Sequence, residues 1–164
     1  MEVVEIQRGA YLLSTDRQRI DVDFVHNFLR HESAWARGIP RAVVERSLQH
    51  SLCFGVYTHD RQVGFARVIT DYATFAYIDD VFVVTPYRGR GLGKWLVEGI
   101  LTHPELQGLR SWWLLAGSEE ARQLFESVGF RTPEAGRLGR WMALPVGSRG
   151  FYERLSPGAE ATST

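Results

Sequence analysis

Cysteine is almost missing from this chain. Of 164 residues only Cys53 carries a thiol, which excludes an internal disulfide and any multi-cysteine zinc site. Its setting, Ser51-Leu52-Cys53-Phe54-Gly55-Val56, reads as a buried strand, so Cys53 is expected to be a small core residue and not a nucleophile. An excess of one charge is missing too. Lys+Arg and Asp+Glu are both 19, and that balance argues against a general nucleic-acid binder, which shows a basic excess or stripe. No apolar stretch approaches the ~20 residues needed to span a bilayer. The start, Met1-Glu2-Val3-Val4-Glu5, has neither the basic residues nor the apolar run of a secretion signal. The five histidines, His26, His31, His50, His59 and His103, show no metal-ligand spacing. These absences lead us to expect a cytoplasmic protein with no metal, no membrane and no nucleic-acid partner.

What is present is the material of a globular core. Hydrophobic residues make up 45% of the chain and aromatics 12%, a composition that folds. The length suits one domain, expected over 1–150, followed by a small polar tail over 151–164 that should be partly frayed. Tyr11-Leu12-Leu13-Ser14 reads as a first strand. Asp21 can cap a helix running to about Glu32, with Val22, Val25, Phe28 and Leu29 on one face. Pro40 suits the first turn of a second helix, with Val43, Val44 and Leu48 turned inward. Strands are expected over 52–58 and 62–70 around the turn His59-Asp60-Arg61, and again over about 74–84. A helix should follow over about 91–102, a strand over 111–115, a helix over 118–128 ended by Gly129, and a last strand over 140–146. This order predicts an α/β fold: a mixed, mostly antiparallel sheet with helices on both faces.

The most informative stretch runs from Val81 to Lys94. A buried strand feeds Arg88-Gly89-Arg90-Gly91-Leu92-Gly93, where a helix begins. Glycines let the backbone take positive φ and approach a ligand closely. The free N–H groups of a new helix, with its dipole, suit an anion. Arg88, Arg90 and Lys94 add positive charge. A tight turn with solvated arginines would use the same glycines. Among phosphate motifs, a Walker loop is excluded because Arg88 and Trp95 stand where it needs Gly and Ser or Thr. The glycines at 89, 91 and 93 also miss the Gly-x-Gly-x-x-Gly spacing of a dinucleotide fingerprint.

Arg88-x-x-Gly91-x-Gly93 resembles the Arg/Gln-x-x-Gly-x-Gly/Ala signature of GCN5-related N-acetyltransferases (GNAT). Tyr77-Ile78-Asp79-Asp80-Val81-Phe82-Val83 looks like that family's fourth strand. Ser118-x-x-Ala121-x-x-x-Phe125-x-x-x-Gly129-Phe130 looks like its following helix, so the resemblance spans about 11–146. It implies a GNAT fold with splayed fourth and fifth strands and acetyl-CoA as acyl donor. Backbone groups of Val81, Phe82 and Val83 would then hold the donor's pantetheine arm. The N–H groups of Gly89, Arg90, Gly91, Leu92, Gly93 and Lys94 would hold its pyrophosphate. One backbone N–H aimed at the thioester oxygen would stabilise the charge developing there.

The implied reaction is direct attack by an amine. An alkyl ammonium must lose a proton before it can attack. Asp79 and Asp80 are the candidate catalytic residues; strand alternation should point them to opposite faces, with Asp79 sharing the side of Val81 and Val83. The resemblance favours Asp79 as the base, acting through water, and leaves Asp80 a structural role. Two positions depart from the family pattern. Ser118 replaces an Asn that holds the arm, and Phe125 replaces the tyrosine that protonates the leaving thiolate. Tyr87, Tyr152, Ser118 or a water could substitute. The acceptor should lie near 31–41 and the stretch after Phe130, where Trp35 could wall a pocket and Arg37 or Arg41 could bind a carboxylate. Three functions remain open: an N-acetyltransferase of a small-molecule amine or amino acid, a protein N-acetyltransferase, and a non-catalytic acyl-CoA sensor. A homodimer is compatible with all three.

Overall fold

In the computed structural model, residues 2–59 and 61–133 are described. Among these residues six strands form one sheet in the sequence order β1 (Glu5–Arg8), β2 (Tyr11–Ser14), β3 (Leu52–Thr58), β4 (Arg61–Thr70), β5 (Phe75–Val83) and β6 (Ser111–Trp113). The first five pair antiparallel. Among the described residues only β6 runs parallel to its neighbour, because a helix intervenes between it and β5. Helices α1 (Val22–Asn27), α2 (Arg41–Gln49), α3 (Leu92–Leu101) and α4 (Glu119–Ser127) cover the sheet.

Strand alternation divides the core in two. Phe54, Val56, Ala66, Val68, Ala76 and Ile78 point to one side, where Leu92, Leu96 and Ile100 of α3 and Phe125 of α4 meet them. Cys53, Phe65 and Phe82 point to the other, against Val25, Phe28, Leu29, Val44 and Leu48. The α3 helix can lie this close because Gly99 has no Cβ; one there would run into Leu13 of β2.

Several expectations need correction. The hairpin strand β1 was not anticipated, since Glu5-Ile6-Gln7-Arg8 offers one apolar residue and is mostly exposed. Asp21 does cap a helix, its carboxylate accepting from Phe24 N–H at 2.9 Å. That helix ends at Asn27, and Phe28–Glu32 form a π turn closed by Ser33 N–H to Phe28 O, 3.0 Å. Val43 is exposed while Val44 and Leu48 are buried. Arg61 already belongs to β4, leaving a shorter turn. The expected strand over 140–146 and the tail over 151–164 lie outside the described residues.

Pairing between β5 and β6 is short. Phe75, Ala76 and Tyr77 face Ser111, Trp112 and Trp113, and there the ladder stops. From Ile78 to Val83, β5 continues beyond the last rung it shares with β6. The strands therefore part in mid-sheet, leaving a gap bounded by the second half of β5.

Candidate active site

At the mouth of that gap β5 carries a bulge. The register against β4 passes from Phe65–Phe82 to Arg67–Asp79, so β5 spends one residue more than β4. The extra residue is Asp80, held at φ 51°, a left-handed conformation that Asp tolerates better than most side chains. The bulge reverses alternation. Ala76 and Ile78 share the α3 side with Val81 and Val83, while Asp79 shares the opposite side with Phe82. This overturns two expectations: Asp79 does not share the side of Val81 and Val83, and the two aspartates do not point apart.

Both aspartates meet one cation. Arg67 of β4 donates through Nε to Asp80 Oδ2 at 2.6 Å and through a terminal nitrogen to Asp79 Oδ2. Trp35, in the loop before α2, donates its indole N–H to Asp80 Oδ1 at 2.8 Å. The Asp80 backbone N–H donates to Asp79 Oδ1 at 3.0 Å. Asp80 is thus buried with both oxygens engaged, whereas the Asp79 side chain remains 30% exposed. Burial first, and the Asp80 charge second, push the Asp79 carboxyl above its ordinary range, with Arg67 pulling the other way. Burial works against the Arg67 charge, but the two carboxylates outweigh it and hold the guanidinium above its usual value.

The glycine-rich turn lies at the end of the same strand. After Val83 a short 3-10 turn, Thr85–Tyr87, leads to Gly89 and Gly91, with φ of 73° and 72°. Gly91 is the N-cap of α3 and no side chain caps it. The helical ladder starts with Trp95 N–H to Gly91 O at 3.1 Å, so the N–H groups of Leu92, Gly93 and Lys94 have no acceptor within the helix. Gly93 gives α3 room against α4, since a Cβ there would stand 3.0 Å from Leu124.

The basic side chains around the turn are mostly tied down. Arg88 Nε donates to Val83 O at 2.8 Å, so one carbonyl expected to hold the donor's arm already has a partner. Arg90 donates to Tyr11 Oη at 3.0 Å and to Pro86 O at 3.3 Å, and lies over the Tyr87 ring. Lys94 is 3.8 Å from Glu98, both half exposed. Arg8, from the unanticipated β1, reaches Gly91 O at 3.3 Å and covers Trp95. What remains available is chiefly backbone: a first helical turn of free donors.

The sequence profile of the Acetyltransferase (GNAT) family matches residues 17–130. The chain belongs to the GNAT family. It is therefore an acyltransferase of the N-acetyltransferase kind. A GNAT-family protein of Xanthomonas campestris pv. campestris has a crystal structure with a TM-score of 0.78 and 41% identity, covering 89% of this chain and 99% of that one. A protein of Gibberella zeae that carries an acetyltransferase name is 32% identical over 120 residues, 62% of this chain and 67% of its own. The ribosomal-protein-S18-alanine N-acetyltransferase of Escherichia coli shares the fold, with a TM-score of 0.61 at 21% identity over 75% of this chain and 79% of that one.

Other candidate residues of this GNAT chain fall in varied places. Ser118 is the N-cap of α4, its Oγ accepting from Ala121 N–H at 3.1 Å, which leaves its hydroxyl proton and one lone pair for a ligand. Phe125 is 7% exposed and packs edge-on to Phe130, centroids 5.9 Å apart. Trp35 comes to the bulge, while Arg37 stays exposed on the same loop. Arg41 is bound to Asp23 and Glu45 at the surface, which removes it as a free carboxylate ligand. Tyr87 stacks under Arg90, and Tyr152 lies outside the described residues. Sequence reasoning missed Arg67. Its signal was present: one arginine inside Val63-Gly64-Phe65-Ala66-Arg67-Val68 needs a carboxylate partner.

Proposed function

We propose that this GNAT protein is a cytoplasmic, acetyl-CoA-dependent N-acetyltransferase that acetylates a primary amine of a small molecule or amino acid by direct attack. One observation carries the reading. A partly exposed carboxylate, Asp79, stands where β5 and β6 separate, above its ordinary pKa because it is buried beside Asp80. A base in that place can take the proton that an ammonium must lose.

An acyl-CoA fits the residues present. The free N–H groups of Leu92, Gly93 and Lys94, with Gly89, Arg90 and Gly91 ahead of them, suit a pyrophosphate. The edge of β5 over Val81, Phe82 and Val83 suits an extended arm. When bound, the donor supplies the thioester. The chain's own residues do the rest. Asp79 accepts the amine's proton, directly or through one water. Asp80 keeps the bulge closed through Trp35 and Arg67. A backbone N–H of β5 aimed at the thioester oxygen would stabilise the charge that builds up there.

The test is release of free thiol from acetyl-CoA with a panel of primary amines, for the native protein and for Asp79→Asn. Turnover on at least one amine, falling about 10²–10⁴-fold in Asp79→Asn, is the expected result. Binding of acetyl-CoA without turnover on any amine would favour the sensor reading that Phe125 invites. Turnover only on peptides or proteins would favour a protein acetyltransferase.

A further inference from the structure

Arg67 is a cation set in an apolar strand. Phe65, Ala66 and Val68 beside it are fully buried, and its own side chain is 13% exposed. A guanidinium taken that far from water needs carboxylates around it. It reaches two, Asp80 at 2.6 Å and Asp79, and its remaining nitrogen reaches Ser51 Oγ at 3.4 Å. Both carboxylates can turn to one cation because the bulge at Asp80 reverses strand alternation. Asp80 is fully engaged, by Arg67 on one oxygen and Trp35 on the other. Asp79 keeps an open side.

We propose that Arg67 is the positioning residue of this active site, its planar fork holding the buried Asp80 in place while aiming the partly exposed Asp79 at the acceptor amine. The inference rests on Asp79 being the base. Arg67 touches neither acceptor nor thioester; it acts through the two aspartates. A fork can span two carboxylates at fixed angles, which a lysine ammonium cannot.

Arg67 also sets the pH at which Asp79 can work. Among the described residues, the charged and titratable groups around Asp79 are Asp80 and Tyr77 on its own strand and Arg67 on β4, with Cys53 of β3 close to Arg67. The Cys53 thiol stays neutral, pushed up to about 11 by burial. Burial and Asp80 raise the Asp79 carboxyl, and Arg67 is the cation that lowers it. Without that cation the carboxyl rises further, holds its proton to higher pH, and stops acting as a base there.

The experiment compares Arg67→Gln and Arg67→Lys with the native chain, measuring the pH profile of kcat/KM and the acetyl-CoA KM. In Arg67→Gln the acidic limb should move up by about one to two pH units, with the acetyl-CoA KM within about twofold of native because the phosphate turn is untouched. Arg67→Lys should restore the limb to within about half a unit yet keep kcat about tenfold low, since charge returns without the fork. An unmoved limb in folded Arg67→Gln, or native kcat in Arg67→Lys, would overturn the inference. If Arg67→Gln does not fold, the kcat of Arg67→Lys decides alone. The Asp79 carboxyl titration, followed by carbon-13 NMR without turnover, separates the two readings. A raised midpoint in Arg67→Gln, with Arg67→Lys near native, upholds the hold of Arg67 even if Asp79→Asn stays active and another group proves to be the base. An unchanged midpoint overturns it.

Discussion

The two ends of the β5 gap are built by opposite means. At the far end, the glycine-rich turn is made of consecutive residues and offers mostly backbone: Gly89 and Gly91 at positive φ, then the free N–H groups of the first turn of α3. At the near end, the bulge is made of side chains from three places: Trp35 in a loop, Arg67 on β4 and the two aspartates on β5, pairs 45, 13 and 12 positions apart. The first should tolerate changed side chains and fail on a changed glycine. The second should fail on a changed side chain. Each half can be broken separately.

Among changes that leave Asp79 and Arg67 in place, the largest effect is expected at Gly91. Valine there would have to hold φ near 72° and place its Cβ about 3.3 Å from the Arg8 guanidinium. Such strain costs about 1–3 kcal/mol, and it acts on the N–H groups proposed to hold the phosphates. Gly91→Val should raise the acetyl-CoA KM roughly 10- to 100-fold with a smaller change in kcat. Lys94→Gln removes only an exposed charge paired loosely with Glu98, and should change that KM less than about threefold. Steady-state KM, checked by equilibrium binding, measures both. If Lys94→Gln proves the more damaging, the turn is a side-chain site and the contrast fails.

The same contrast explains what the sequence could and could not reveal. The turn was readable because its logic is local: a buried strand, three glycines in five residues, then the stripe Leu92, Trp95, Leu96 and Ile100 that packs under the sheet. The α4 stripe of Ala121, Leu124, Phe125 and Val128 was readable for the same reason. The bulge was not. Alternation predicts opposite faces for Asp79 and Asp80, and no local pattern announces the extra residue. Only tertiary demand does so, since Arg67 needs both carboxylates and Trp35 needs an acceptor. The partners of Arg8 were hidden for a similar reason, because β1 exists only by pairing with β2.

A smaller effect tests the near end without touching an ionisable group. Trp35→Phe keeps an aromatic ring beside Phe28 but removes the donor to Asp80 Oδ1. That oxygen belongs to a buried carboxylate, so the change should cost about 1.5 kcal/mol of stability. It should be read as a lower urea midpoint with an unchanged slope. An unchanged midpoint would mean that Arg67 alone holds Asp80, and the loop would drop out of the constellation.

The smallest effect on turnover is expected at Phe125, where the chain departs from its family. If the leaving sulfur needed a proton donor at this position, Phe125→Tyr would raise kcat by as much as a general acid supplies, about 10²–10⁴-fold. Two facts argue for far less. A thiol is acidic enough, about 8.5 for free cysteine, to be a far better leaving group than an alcohol near neutral pH. In addition, Phe125 is built into the core, edge-on to Phe130 at 5.9 Å and 74°, among residues of α3 and α4. A hydroxyl added there lacks an evident partner and should cost about 1–3 kcal/mol. The expected outcome is a lower unfolding temperature with kcat changed less than about threefold, measured on the best amine of the panel. A hundredfold gain would show that proton delivery limits the native protein. The catalytic end of the gap would then hang on a missing hydroxyl as much as on the aspartates that Arg67 holds in place.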